Sequence, residues 1–372
     1  MNDYKVTDTE LSSVANAIRT KGGTSASLPW PDGFVSAISD IPSGIVPSGS
    51  LSISANGTYD VGSFANAVVN VPQEGGSGDG KGIIERSLSI INNSDAINIA
   101  SYVFASYEGL ISVEMTNVRS IGAYAFSNCS SLTTVSFPSC TSIGSYAFMN
   151  CKSLTTVSFP ACTSISGGAF SICSSLTTVS FPACISIGGG AFASCSSLAT
   201  ASFPVCTSIG TSAFVNCKLL TTVSFPACTS ISGGAFSNCS SLTTVSFPSC
   251  TSIGSYAFMN CKSLTTVSFP ACTSIGVSAF ASCSSLTTVS FPVCTLIGSY
   301  AFSNCIKLES VYLLNQSVAT LGHVSVFKST PIFDSSYLGY FGSIFVLASL
   351  VDAYKSATNW SAYSDRITAY IE

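Results

Sequence analysis

Between residues 126 and 302 the alternation of apolar and polar positions repeats every 22 residues, and an Ala-Phe pair recurs nine times at that interval. In the unit 132–151, apolar side chains stand at Leu132, Val135, Phe137, Cys140, Ile143, Ala147, Phe148 and Cys151, with Thr, Ser and Gly between them. Alternate residues of a strand face opposite sides, so Val135 and Phe137 point one way and Thr134 and Ser136 the other. Pro138 lacks an amide donor and ends the strand. Gly144 permits a tight turn, and Ala147 and Phe148 bring the chain back to the core. Units this regular bury apolar surface only against their neighbours. The pattern therefore predicts a repeat solenoid with one short parallel β-strand per 22-residue coil. At about 4.8 Å per stacked strand, ten coils make a rod roughly 45–50 Å long.

The flanks lack the period. Thr7 and Glu10 have capping-box spacing, and Leu11, Val14, Ala15 and Ile18 form an apolar stripe before Gly22-Gly23, which predicts a helix over 7–20. Trp30, Phe34, Val35 and Ile38 suggest a second short helix, completing a helical module over 1–45. Leu51, Ile53, Tyr59 and Val61 flank Asn56-Gly57, a hairpin signal, within a β module over 46–72. Together they predict a small N-terminal α/β module. Residues 73–82 read as a glycine-rich linker. Residues 83–118 read as a degenerate first coil, with Tyr107 and Val118 where cysteines would stand. The solenoid proper is expected over 119–314, and 315–372 as a C-terminal cap holding His323 and Trp360.

Composition sharpens this reading. All 17 cysteines fall on two rows locked to the period, one from Cys129 to Cys305 and one from Cys140 to Cys294. Buried free Cys behaves as a small apolar filler, so packing is the favoured role; occasional disulfides and zinc are the alternatives. No CxxC pair occurs and the only histidine lies outside the regular coils, which weighs against zinc. No Asp or Glu stands between Glu114 and Glu309, where Arg119, Lys152, Lys218, Lys262 and Lys307 carry all the charge. So sparse a field argues against nucleic acid, and the missing carboxylates argue against calcium. No cofactor is expected. No signal peptide or membrane span is read from the sequence, so the chain is expected to be made in a reducing cytoplasm.

The pattern Leu132-x-x-Val135-x-Phe137-Pro138…Ile143-Gly144-x-x-Ala147-Phe148-x-x-Cys151 closely resembles the BspA-like leucine-rich repeats, found in bacterial surface proteins and in phage and prophage proteins. The opening Tyr4-Lys5-Val6-Thr7-Asp8-Thr9-Glu10-Leu11 and its continuation to Ser25 resemble the N-terminal segment of tail-associated proteins in phages of Gram-positive bacteria. Asn56-Gly57-Thr58-Tyr59-Asp60-Val61 recurs in such proteins, and the stretch from Ala348 to Trp360 resembles the usual close of these arrays. The resemblance implies attachment, not catalysis.

Two surfaces are candidates for it. Thr134, Ser136, Thr156, Ser158, Thr178 and Ser180 form an outward hydroxyl ladder on the strands. In the Ala-Phe turn, Tyr124, Tyr146, Tyr256 and Tyr300 alternate with Gly and Ser, residue types suited to adaptable recognition; drift at exposed positions is the competing explanation. No titratable group in the array has a catalytic partner, so no enzyme is expected. The leading expectation is a phage or prophage tail adhesin in the virion. It would bind a host cell-surface glycan or protein and join tail or baseplate proteins through its N-terminal module, with the first helix a candidate nucleus for a homo-oligomer such as a trimer. A bacterial cell-surface adhesin and a structural spacer are the alternatives, and ice or mineral binding by the hydroxyl ladder is a remoter one.

Overall fold

The computed structural model describes residues 97–334 and 341–371, together with the backbone of Ser52–Ser54, Thr58–Asp60 and Ile90–Asn92. The helical readings over 1–45 and the linker lie outside the described residues. Ser52–Ser54 and Thr58–Asp60 pair antiparallel across Asn56-Gly57.

The array is a right-register parallel solenoid. Each regular coil supplies a three-residue strand such as Thr134–Ser136, paired with its equivalents 22 residues away, for example Val135 with Val157. These strands run in three paired stretches, from Ile90–Asn92 to Thr156–Ser158, from Thr178–Ser180 to Thr244–Ser246, and from Thr266–Ser268 to Ile367–Ala369. Each coil adds a second, two-residue strand such as Ser142–Ile143, which the sequence reading did not anticipate. Eleven of these form one unbroken ladder from Asn98–Ile99 to Thr320–Leu321. On the remaining side the coils are stitched by bonds outside both ladders, including the Phe126 amide to the Ala147 carbonyl at 2.7 Å and that of Phe148 to Ala169 at 2.7 Å. Backbone groups on every side of the coil thus find partners in the next one, as burial requires.

The turns follow from single residues. The Cys140 amide donates to the Phe137 carbonyl at 3.1 Å, closing a turn whose second position is Pro138; proline's fixed φ suits that position. The arc after Gly144 is a chain of further turns: Ala147 to Gly144, Met149 to Tyr146 and Cys151 to Phe148. Gly144 is required by space, because a Cβ there would lie 2.6–2.7 Å from backbone atoms of Gly122, Ala123 and Ile121 in the preceding coil.

The interior is two columns of phenyl rings flanked by two columns of thiols. Phe126, Phe148 and their equivalents stack with centroids 5.1–5.4 Å apart. Phe137, Phe159 and theirs stack at 5.4–5.8 Å, and the two columns meet at about 6 Å, tilted or edge to face. Such aromatic pairs contribute roughly 0.5–1.5 kcal/mol each beyond their burial. In the first coil Met115 takes the place of Phe137 and Val118 that of Cys140, both fully buried, while Tyr107 packs edge-on against Phe104 at 6.4 Å.

The ladder continues beyond Leu313, although insertions hide the period. Thr320–Leu321 pairs with Leu296–Ile297, and the Phe302 amide reaches the Val326 carbonyl at 3.0 Å. Ser343–Val346 and then Ile367–Ala369 extend the strand sheet. Side chains close the short ladder: Trp360 Nε1 donates to the Ala319 carbonyl at 2.6 Å and Asn359 Nδ2 to that of Leu321 at 2.9 Å. The Tyr354 hydroxyl accepts from the Ala319 amide at 3.1 Å and donates to Asn315 Oδ1 at 3.0 Å. These contacts occupy backbone groups that would otherwise form an open sheet edge.

Candidate functional site

The strand face carries the hydroxyls outward. Thr134, Thr156, Ser158, Thr178 and Ser180 are exposed and Ser136 is half-buried, while Val135 and Val179 between them face the core. Over the middle coils this face forms a concavity of about 420 Å³. Thr178, Ser180, Thr200, Ser202, Thr222 and Ser224 line it with Val179, Ala201 and Val223, and no charged residue takes part. Ala201 stands where neighbouring coils have Val, which removes two methyl groups from its lining. Of the residues singled out from sequence, Thr178 and Ser180 border the concavity; Thr134, Ser136, Thr156 and Ser158 stand on the strands before it.

Other hydroxyls are structural. Thr155 Oγ1 donates to the Thr133 carbonyl and Thr163 Oγ1 to that of Thr141, each at 3.1 Å, and equivalents recur along both rows. These threonines cap carbonyls of the preceding coil. The sequence shows their recurrence but gives no sign of their partners.

The tyrosine column has a backbone explanation that the sequence reading missed. Tyr124, Tyr146, Tyr256 and Tyr300 all have left-handed φ, between +57° and +62°, and Ser212, Ser278, Gly168, Gly190 and Gly234 in the same column lie between +53° and +65°. Glycine enters this region freely, whereas a side chain there costs on the order of 1 kcal/mol. The alternation of Tyr, Ser and Gly is thus partly a response to one backbone demand. Two of the four tyrosines come together: Tyr124 and Tyr146 stack at 4.9 Å, and Tyr102 of the first coil joins them at 4.9 Å from Tyr124. Burial and the neighbouring phenols raise the pKa of Tyr124. Tyr256 stands apart between Gly234 and Ser278, and Tyr300 lies 6.3 Å from the His323 ring. The strand face and the tyrosine column remain separate, about half a coil apart along the chain.

The thiols do more than fill space. In the first row each Sγ donates to the carbonyl of a phenylalanine in the preceding coil, as Cys151 does to Phe126 at 3.1 Å and Cys217 to Phe192 at 3.2 Å. In the second row Cys140 and its equivalents donate to the carbonyl two residues on, at 3.2–3.3 Å. All 17 are free and buried. Desolvation pushes Cys129, Cys195 and Cys239 up to about 12, and Cys140 and Cys206 to about 11, so neutral solution holds no thiolate at these positions. Among the described residues no group of three or more His, Cys, Asp or Glu is placed to hold a metal ion, and no helix is long and apolar enough to cross a membrane.

Solved structures resemble the array at modest identity. A leucine rich cell surface protein from Faecalibacterium prausnitzii A2-165 is 26% identical, covering 74% of this chain and 83% of that one, with TM-score 0.43. A leucine-rich repeat protein from Bacteroides ovatus is 23% identical over 62% and 91% of the two chains, with TM-score 0.34. The pneumococcal vaccine antigen PcpA is 18% identical over 81% and 71%, with TM-score 0.41. No curated protein matches the chain. The BspA type leucine rich repeat region matches over residues 97–221 and 207–332, the segment that holds the thiol columns, the phenyl columns and most of the strands. The chain therefore belongs to the BspA type leucine rich repeat family.

Proposed function

We propose that this chain is a recognition module for attachment at a bacterial cell surface, holding its ligand against the concave strand face. The observation that carries the reading is the hydroxyl-lined, uncharged concavity spread over successive strands of the array. A surface of repeated Thr and Ser offers many weak hydrogen bonds without the desolvation cost of charge, which suits a neutral glycan or an uncharged protein face. Membership of a repeat family found in bacterial surface proteins supports the location, and such solenoids serve typically as binding scaffolds.

Whole-cell binding of the full chain tests this, with Thr200→Arg and Ser202→Arg as variants that fill the concavity. Binding that persists unchanged in both, with the fold intact, would remove the strand face from the account. Attachment from a phage tail is the finer alternative. It draws on the motif at Tyr4 to Ser25, outside the described residues, and its partners would be tail or baseplate proteins and a host-surface glycan or protein, in an assembly such as a trimer. Detection of the chain in purified particles, against detection on intact bacterial cells by surface proteolysis, separates the two.

A further inference from the structure

The strand face holds hydroxyls that the fold does not use. Four strands in register, from Thr178–Ser180 to Thr244–Ser246, set a threonine column from Thr178 to Thr244 beside a serine column from Ser180 to Ser246, all of them exposed. Among the described residues, none of these hydroxyls hydrogen-bonds to another protein group. One residue earlier along each strand the situation is reversed. There Thr221 Oγ1 donates to the Ala199 carbonyl at 3.3 Å and Thr243 Oγ1 to that of Thr221 at 3.1 Å. Each unused hydroxyl keeps one donor and two acceptor positions for a ligand. The two columns line the concavity of about 420 Å³. Within a strand the paired threonine and serine stand about 6.6 Å apart, and the pair recurs every 4.8 Å or so along the axis. The serine column continues in both directions, from Ser136 beside Glu114 to Ser290 beside Tyr312.

We infer that these paired columns bind an extended, β-linked neutral glycan laid along the solenoid axis, with about one sugar ring to each coil. Three features select this occupant. No Asp or Glu stands between Glu114 and Glu309 and no Lys or Arg lines the concavity, so an ionic ligand finds no counter-charge. The lining also lacks aromatic and Arg side chains, the anchors on which a protein partner's tightest contacts depend. Finally, the face repeats with every coil. An extended peptide turns side chains to one side only at every second residue, about 6.6 Å apart, and falls out of step with a 4.8 Å repeat. A β-linked pyranose chain instead presents the same hydroxyls ring after ring, and these exchange hydrogen bonds with one Thr and Ser pair after the next. The inference rests on the proposed recognition role and narrows its ligand to a glycan.

Calorimetric titration of the full chain with cellohexaose, mannohexaose and chitohexaose, each against its own disaccharide and against α-linked maltohexaose, tests it. At least one β-linked hexasaccharide binds, about tenfold or more tighter than its disaccharide, because successive rings add contacts coil by coil. Maltohexaose, whose chain coils, does not bind. The triple substitution Thr178→Val, Thr200→Val and Thr222→Val removes three hydroxyls while keeping β-branched strand formers, and raises the Kd by about tenfold or more. Tyr256→Ser lies off the strand face, in a column where other coils carry Ser, and leaves the Kd unchanged. Melting curves at or above that of the wild type confirm that the variants fold. Failure of all three β-linked hexasaccharides, equal affinity for disaccharide and hexasaccharide, maltohexaose binding as tightly as they do, or undiminished binding by the triple variant overturns the inference. If Thr200→Arg abolishes whole-cell binding while the sugars fail, the recognition face stands and only the glycan assignment falls; if whole cells are not bound at all, the recognition role falls with it.

Discussion

Raising the pH should unfold the solenoid cooperatively near pH 10, well before its exposed groups alone would destabilise it. The cause is the buried thiols, foremost the column that begins at Cys129, to which the column beginning at Cys140, also raised by burial, adds. Eight thiols of the first column have pKa values raised by burial, to about 12 at Cys129, Cys195 and Cys239, from an ordinary value of 9.0. Burial favours the neutral thiol in the folded state, so this contribution to stability is fully present below pH 9.0 and is lost as the pH climbs from there towards 12. At pH 10 the ionisation of an unfolded cysteine stabilises the unfolded chain by about 1.4 kcal/mol, and eight together by about 11 kcal/mol. That matches the roughly 5–15 kcal/mol of a whole domain. Far-UV circular dichroism against pH, recorded under reductant with thiolate absorbance followed in parallel, reads both events. The account expects loss of structure and thiolate formation to coincide. Thiolate appearing steadily from pH 9 in a protein that keeps its circular dichroism beyond pH 11 would refute the reasoning, because it would show these thiols ionising inside an intact fold.

Two substitutions test the packing and the backbone separately. Phe214→Ala removes a ring stacked on Phe192 and Phe236 at 5.2 Å and packed against Phe203 and Phe225; a cost of about 3–5 kcal/mol is expected in denaturant unfolding, with faster amide exchange confined to neighbouring coils. A cost below about 1 kcal/mol would mean that the phenyl columns are not close-packed. Ile172→Asn should instead raise stability by about 1 kcal/mol, since Asn accepts left-handed φ and meets Asn150, whose Nδ2 already donates to Asn128 Oδ1 at 2.8 Å. A lower melting temperature for this variant would show that the Ile172 side chain has packing value outweighing its strain.

The architecture was legible because each coil repeats one statement. The spacing of Leu132, Val135 and Phe137, the stop at Pro138 and the return at Ala147-Phe148 were enough to place the strand, its end and the inward residues. The short ladder at Ser142–Ile143 was not legible, since two residues are too few to show alternation. Insertions concealed the continuation of the sheet at Ser343–Val346. The surface was harder for a different reason. Composition alone cannot separate a residue chosen for a ligand from one chosen for φ, and only the backbone shows that Gly168 and Tyr146 share one left-handed conformation. Likewise Thr133 and Thr134 are adjacent and identical in type, yet one caps a carbonyl and the other faces solvent. The thiols were read as filler, and their hydrogen bonds to Phe carbonyls became visible only with the coils in register.

The most direct test of the in-register stack is the position of its sulfur atoms in a crystal, located by their anomalous scattering. The account predicts two straight rows of cysteine sulfurs, nine in one and eight in the other, advancing by about 4.8 Å per coil with no pair at bonding distance. Sulfurs joined in disulfides, or scattered towards solvent, would contradict it.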